Sequence, residues 1–399
     1  MITQTADHTD VRATNLAAVL GYLRREAPCS RAAIAAGTGL NKATVTSIVA
    51  DLIDRQLVRE TQQTQNHVGR PATLLVLDGS AYAAIGLEVS ARGLSAFAYD
   101  SAGGQLLRWH RAGPGADASP AKTVAALAAL ARRALATVES SGRQALGLTV
   151  GVPGLVNREG AVVLAAGLGW RDVPLRADLI QALGRPDLPV MVDNDANLGV
   201  LAEHRYGPHA GSSNLIHLSG DSGIGAGIIC DGRLLRGNLG YVGEVGHLQV
   251  VPDGPLCGCG RRGCLEALAG IPAILARVDP DGPGDPDPQV RLEQVIRRAQ
   301  ANDTEVIKIL TDVGFHLGQG ISVLANVLNP SAVLLGGSYA LLAEWLIPSA
   351  QNELRERALA PDAGGCAILA STFGHDGTPI GAVARSLDRL DAGRLPSAR

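Results

Sequence analysis

Apolar residues recur at helical spacing from near the start of the chain. Over residues 15–26 they fall at Leu16, Val19, Leu20 and Leu23, one face of a helix that Pro28 stops. Ser30 is placed to cap a short second helix running to Ala36, and Gly37-Thr38-Gly39 makes a turn whose glycines accept positive φ. Asn41 caps a third helix with an inward stripe of Val45, Ile48, Val49, Leu52 and Ile53. Lys42, Ala43, Thr46 and Ser47 then point outward near its start, with Thr44 at the edge. Two strand-like runs follow at 57–60 and 73–77, separated by a tip at 62–70 too polar for a core. The pattern predicts a winged helix-turn-helix over residues 1–78.

From Tyr82 the periodicity changes. Apolar strands at 84–89, 94–99 and 105–110 precede an alanine-rich helix at 121–138 and a strand at 146–150 that runs into Gly151-Val152-Pro153-Gly154. A strand at 189–192 leads into Asp193-Asn194-Asp195-Ala196-Asn197 and a helix at 198–205. Helices at 304–326 and 339–357 flank a strand at 332–335, and a last helix covers 381–390. Residues 279–288, Asp-Pro-Asp-Gly-Pro-Gly-Asp-Pro-Asp-Pro, are too rich in proline, glycine and acid for regular structure and read as a mobile, solvated loop. Residues 391–399 read as a disordered tail.

At 399 residues the chain should hold more than one domain, because single cores seldom grow past roughly 250–300 residues. There is no run of about 18 apolar residues, and the opening Met-Ile-Thr-Gln-Thr-Ala-Asp-His has neither the basic nor the apolar region of a signal peptide. A cytoplasmic protein with no membrane contact is expected. Formal net charge is −3, but residues 11–70 carry eight basic side chains against four acidic ones. A basic head on an acidic body is the footprint of a small module that binds double-stranded DNA. Lys42, Thr44, Thr46 and Ser47 are its candidate base and phosphate contacts. Gly69-Arg70-Pro71 forms a rigid turn that holds Arg70 toward a narrow minor groove.

Six cysteines in so long a chain do not suggest a disulfide framework. Cys257, Cys259 and Cys264, with His247 upstream, supply three thiolates and one imidazole, a complete tetrahedral shell for one structural zinc per chain. Cys29, Cys230 and Cys366 are left as ordinary thiols. Glu244 and Glu266 flank the shell without being needed for it. Carboxylates beside an imidazole on a rigid loop suit a polyhydroxylated ligand, whose hydroxyls donate to them.

The elements Gly-Glu-Val-Gly-His and Cys-Gly-Cys-Gly-Arg-Arg-Gly-Cys-Leu-Glu, over 243–247 and 257–266, closely resemble the signature of the ROK family of sugar kinases and sugar-responsive bacterial repressors. The resemblance covers nearly the whole chain. It implies an α/β fold class: an N-terminal winged helix-turn-helix followed by a two-lobed actin-like (ribonuclease-H-like) ROK domain, with lobes at 79–195 and 196–390 and the zinc loop in the second. It also implies that Asn194 and Asp195 join Glu244, His247 and Glu266 in binding a sugar, His247 serving both metal and ligand. The Gly-Arg-Pro wing resembles that of the repressor branch.

Family kinases carry Asp-x-Gly-Gly-Thr after the first strand to hold magnesium and nucleotide phosphates. Here Glu88-Val89-Ser90-Ala91-Arg92 stands at that place, with side chains that obstruct phosphate and an arginine in place of threonine. Ser219 to Gly227 stays rich in glycine, and Asn329-Pro330 with Gly336-Gly337 matches the family's adenosine-contacting turn. The expectation is a sugar- or sugar-phosphate-responsive transcriptional repressor without catalytic residues, acting as a homodimer or dimer of dimers. Two rivals stay open, a ROK kinase with an appended head and a regulator controlled by a partner protein.

Overall fold

The computed structural model describes residues 8–64, 73–115, 118–280 and 287–396. Three helices, His8–Glu26, Arg31–Thr38 and Lys42–Asp54, open the chain and pack on a three-stranded antiparallel sheet in the order Cys29–Ser30, Thr73–Leu77, Val58–Thr64. The caps fall as expected. Ser30 Oγ accepts from Ala33 N at 3.2 Å, and Asn41 Oδ1 from Thr44 N at 2.8 Å. Only Gly39 supplies the left-handed turn, at φ 72°, while Gly37 lies inside the second helix beneath the Tyr22 ring. The stripe Val45, Ile48, Val49 and Leu52 is fully buried against Leu16, Val19, Leu20 and Leu23.

The next five strands form one sheet in the order Val190–Asn194, Gln144–Val152, Tyr82–Ser90, Gly93–Asp100, Gln105–Arg111. Its first three members are parallel and the rest antiparallel. Along Tyr82–Ser90 successive side chains feed two different cores, so both faces are covered. Ala83, Ile85, Leu87 and Val89 meet the helix Pro120–Ser140. Tyr82 and Ala84 share a core with Ile380, Val383 and Leu387 of the last helix, Gly377–Asp391.

A second five-stranded sheet runs Arg233–Leu234, Ile224–Cys230, Leu215–Gly220, Ala332–Gly337, Ala367–Ala370. The helices Thr304–Leu328 and Ser338–Arg357 pack together beside it. The first of them buries Val306, Leu310, Val313, Leu317 and Ile321 at spacings of three and four. Asp195–Tyr206 lies on the other face and meets the last helix. The two sheets are thus joined through a crossing pair of helices, the expected two-lobed arrangement.

Three expectations need correction. The last helix does not belong to the second lobe, as a boundary at 390 requires; it packs on the first sheet, where Gly86 lets its backbone approach and Gly151 leaves room for the Thr378 side chain. Residues 391–396 are not a disordered tail. Asp391 pairs with Arg24 at 2.7 Å and with Arg205, and Leu395 joins the head's core. Two helices absent from the sequence reading, Ile271–Val278 and Pro288–Gln300, border the acidic stretch, of which 281–286 lie outside the described residues. The second helix starts where Asp287 Oδ1 accepts from Gln289 N at 2.9 Å, so part of the stretch is a cap. The tip of the wing, including Arg70, also lies outside the described residues. No helix is long and apolar enough to cross a membrane among the described residues.

The helix crossing is tight. A Cβ on Gly381 would stand 1.7 Å from Leu198 O, a backbone atom that cannot swing aside. Gly381→Ala is expected to lower stability by about 1–3 kcal/mol or more, the cost of overpacking a filled core. Urea unfolding with no loss of stability would show that the two helices are not in this contact.

Candidate metal centre and ligand cleft

His247 closes a short turn, Val245–His247, and the cysteines follow on a loop pinned by backbone bonds from Cys257 N to Arg261 O at 2.7 Å and from Gly260 N to Cys257 O at 2.9 Å. The ligand atoms of His247, Cys257, Cys259 and Cys264 lie within 4.8 Å of one another. Cys259 Sγ and Cys264 Sγ are 3.7 Å apart, and Cys257 Sγ is 3.7 Å from His247 Nδ1. Metal–sulfur bonds of about 2.3 Å at tetrahedral angles put sulfurs about 3.8 Å apart, so the spacing suits one metal ion. With Nδ1 on the thiolate side, Nε2 is the imidazole nitrogen left for another partner.

Cys264 also heads the helix Leu265–Ala269, whose first turn carries Glu266. Glu266 Oε2 accepts from Ile224 N at 3.0 Å, tying the metal loop to the glycine-rich hairpin of the second sheet. Glu244 sits exposed just before the His247 turn. Its charge and that of Asp221 reach Asp195, whose carboxyl is pushed up to about 7, first by burial and then by those two acids. Asp195, Glu244, His247 and Glu266 therefore belong to one electrostatic cluster, brought together from strand end, turn and loop.

Asn194 has a second task. Its Oδ1 caps the helix Asp195–Tyr206 by accepting from Asn197 N at 3.1 Å, and its Nδ2 donates to Gly154 O at 3.0 Å. One amide hydrogen and one lone pair remain for a ligand. Asp193 is turned away from this role, buried and paired with Arg236 through Nη1–Oδ1 at 3.0 Å.

Arg92 is the residue whose part the sequence reading missed. It is more than an obstruction, because its guanidinium reaches across the cleft. Nη1 stands 3.1 Å from Asp221 Oδ1 on the second lobe's hairpin, and Nη2 3.6 Å from Glu88 Oε1 on the first lobe's strand. His375 Nδ1 is the acceptor on a third side, at 2.5 Å from Nη1. Asp221 is held in turn by the Ser338 hydroxyl at 2.8 Å. Glu88 is buried, and burial first, with Asp221 and Asp195 adding, pushes its carboxyl up to about 7 against the pull of Arg92. A cation thus fills the space between two acids, one from each lobe. Only Glu88, four residues back, is local; the other two partners, Asp221 and His375, lie 129 and 283 residues along the chain, so the bridge across the cleft is not announced by the sequence.

On the head, Lys42, Thr46 and Ser47 are exposed and Thr44 is half-buried, all on the first two turns of Lys42–Asp54. Thr46 Oγ1 donates to Lys42 O at 2.8 Å, which leaves its oxygen to accept. The structure places these four on one accessible helix start; Arg70 lies outside the described residues.

Residues 84–388 match the model of the ROK family, and residues 13–62 that of the IclR helix-turn-helix domain. The chain is 29% identical to the xylose repressor of Bacillus subtilis over 94% of its own length and 95% of that protein. Among solved structures it resembles a ROK family transcriptional regulator, homologous to the Escherichia coli Mlc protein, with TM-score 0.80, 26% identity and coverage of 96% and 98%. A ROK family glucokinase from Streptomyces griseus, solved with glucose and AMPPNP, is similar at TM-score 0.63 and 26% identity, over 75% of this chain and 98% of that one.

The state of Asp195 has a measurable consequence. An unfolded aspartate loses its proton near about 3.9, whereas native Asp195 holds it up to about 7. The native state then binds more protons in that window, so this group's contribution to stability declines as pH rises through it. Asp195→Asn, which fixes a neutral side chain, is expected to raise Tm above that of the parent protein at pH 8 and to lose that advantage at pH 5. A Tm difference identical at both values would mean an ordinarily ionised carboxylate.

Proposed function

Because the chain belongs to the ROK family and sets a helix-turn-helix head before the ROK body, we propose that it is a sugar-responsive, DNA-binding transcriptional repressor. The single observation that carries the reading is the coexistence of an accessible recognition-helix start with a cleft in which acids and an imidazole converge while Arg92 fills the phosphate position. The first supplies a DNA surface; the second supplies a ligand site without a place for nucleotide phosphates.

In this reading Asn194, Asp195, Glu244, His247 and Glu266 bind the hydroxyls of a sugar or sugar phosphate. Asp195, Glu244 and Glu266 accept from hydroxyls, and His247 offers Nε2. Zinc on His247, Cys257, Cys259 and Cys264 is structural, and its chemistry when bound is to fix the loop that presents His247 and Glu266. On DNA, Lys42 neutralises a phosphate while Thr44, Thr46 and Ser47 approach base edges. A homodimer places two heads on half-sites roughly 34 Å apart, so a small change in head placement on ligand binding alters affinity for a palindrome.

A kinase reading draws support from Asp195, whose raised pKa suits a general base. Arg92 weighs against it, since its guanidinium bridges Glu88 and Asp221 where nucleotide phosphates and magnesium belong. In a coupled ADP-release assay with a panel of hexoses and pentoses, no turnover above background is expected. Sugar-dependent turnover that disappears in Asp195→Asn would overturn the non-catalytic assignment.

Two further outcomes test the regulator. Mobility shift on DNA from the protein's own upstream region should show a discrete complex whose affinity one sugar or sugar phosphate changes severalfold. Lys42→Ala should weaken binding evenly across sequences and reduce the salt slope by about one. A transport protein that shifts DNA binding where every sugar fails would replace the sugar-responsive reading. Cys259→Ser, or a strong chelator, should abolish bound zinc and the sugar response together; an intact response in metal-free protein would detach the metal from the ligand site.

A further inference from the structure

A cavity of about 720 Å³ lies where the head meets the body, on the far side of the helix Asp195–Tyr206 from its ligand-facing start. The head's first helix contributes Arg24 and Arg25, the body Arg205, Arg233, Arg236 and Arg385. Six guanidiniums around one cavity of this size, in the range of small-molecule sites, call for compensation. Asp391 pairs with Arg24 and Arg205, Asp193 with Arg236 and at 3.8 Å with Arg385, and Asp388 with Arg385 at 2.5 Å. Three aspartates set against six arginines leave three positive charges over. Burial pushes the Asp388 carboxyl up, against the pull of Arg385.

The shortfall has an address. Arg25 and Arg233 are exposed at the cavity and make no ion pair among the described residues. Arg205 is nearly buried, with its Nε lacking any acceptor. The Arg24 guanidinium is held below its ordinary pKa by burial and then by Arg205, so the two cations repel across the site. The unpaired guanidiniums of Arg25 and Arg233 keep their donors free for a ligand that only accepts. Leu201, Ile229 and Leu234 supply an apolar wall on the same cavity.

We propose that this cavity binds a phosphate-bearing small molecule, the phosphate accepting from Arg25 and Arg233 and the carbon skeleton lying on Leu201, Ile229 and Leu234. Arginine forks match phosphate oxygens in pairs, which sets phosphate above chloride. The site is distinct from the acid-lined cleft at the other end of the same helix. Its walls come from both head and body, so an occupant cross-links them and fixes the head's placement. That last consequence rests on the DNA-binding reading; the binding itself does not.

The test uses the full-length zinc-loaded protein and phenyl phosphate, which carries phosphate and an apolar ring but no sugar hydroxyls. Calorimetric titration and thermal shift are run against sodium chloride at matched ionic strength. Saturable binding with a rise in Tm is expected, weakened at least tenfold in the double variant Arg25→Gln/Arg233→Gln. Neither side chain holds an internal ion pair, so the variant should keep the parent Tm without ligand. A titration indistinguishable from chloride overturns the proposal, as does equal affinity in parent and variant. Absent phenyl phosphate binding together with weaker operator binding and a shallower salt slope in the variant would make these arginines DNA-backbone contacts instead. Failure of sugars to act on DNA binding, with phenyl phosphate binding intact, would remove the sugar-responsive reading and leave this site standing.

Discussion

The crossing of two helices, Asp195–Tyr206 and Gly377–Asp391, is the contact on which the rest of the structure depends. Each sheet has one face covered by its own helices, and the faces left over are covered by this pair. The close approach at Gly381 and Leu198 leaves no room for adjustment, so the pair moves as a unit or separates. The first helix carries Asp195 at its start and Arg205 and Tyr206 at its end. The last carries Asp391 at its end. Ligand cleft and head are thereby attached to opposite ends of one rigid element. Under the proposed reading, a shift of that element on ligand binding would reach the head through Asp391, Arg24 and Arg205.

Arg92 stands between Glu88 and Asp221 across the lobes. Removing it would leave Glu88, already driven toward its neutral form by burial, beside Asp221 and Asp195 with nothing to offset them. The metal loop has a similar logic. The proposed zinc gathers three thiols and an imidazole that would otherwise be a poorly packed, glycine-rich excursion, and Glu266 passes that rigidity to the hairpin through Ile224.

How much of this was legible in the sequence varies with the range of the interaction. The head's helices and caps were readable because Ser30 and Asn41 act on atoms three residues away. The metal set was readable because cysteines at such spacing among glycines serve little else. Helices 271–278 and 288–300 were missed because proline and acid near their starts read as loop chemistry, when proline tolerates a first turn and Asp287 is a cap. The tail was misread as disordered because its polar, glycine-containing composition says nothing about Asp391 meeting two arginines brought from residues 24 and 205.

What the sequence determined by itself was everything set by local periodicity and by side-chain chemistry at fixed spacing: the head's helices, most of the body's strands, the His/Cys cluster that could hold a metal, and a Glu88–Arg92 loop that departs from the family's phosphate-loop pattern. Tertiary structure alone decided what occupies that loop, which lobe owns the last helix, and that six arginines line a cavity between head and body. Those features are made of residues up to several hundred positions apart. Their energies come from desolvated charge and steric closeness, which exist only once the chain has folded them together.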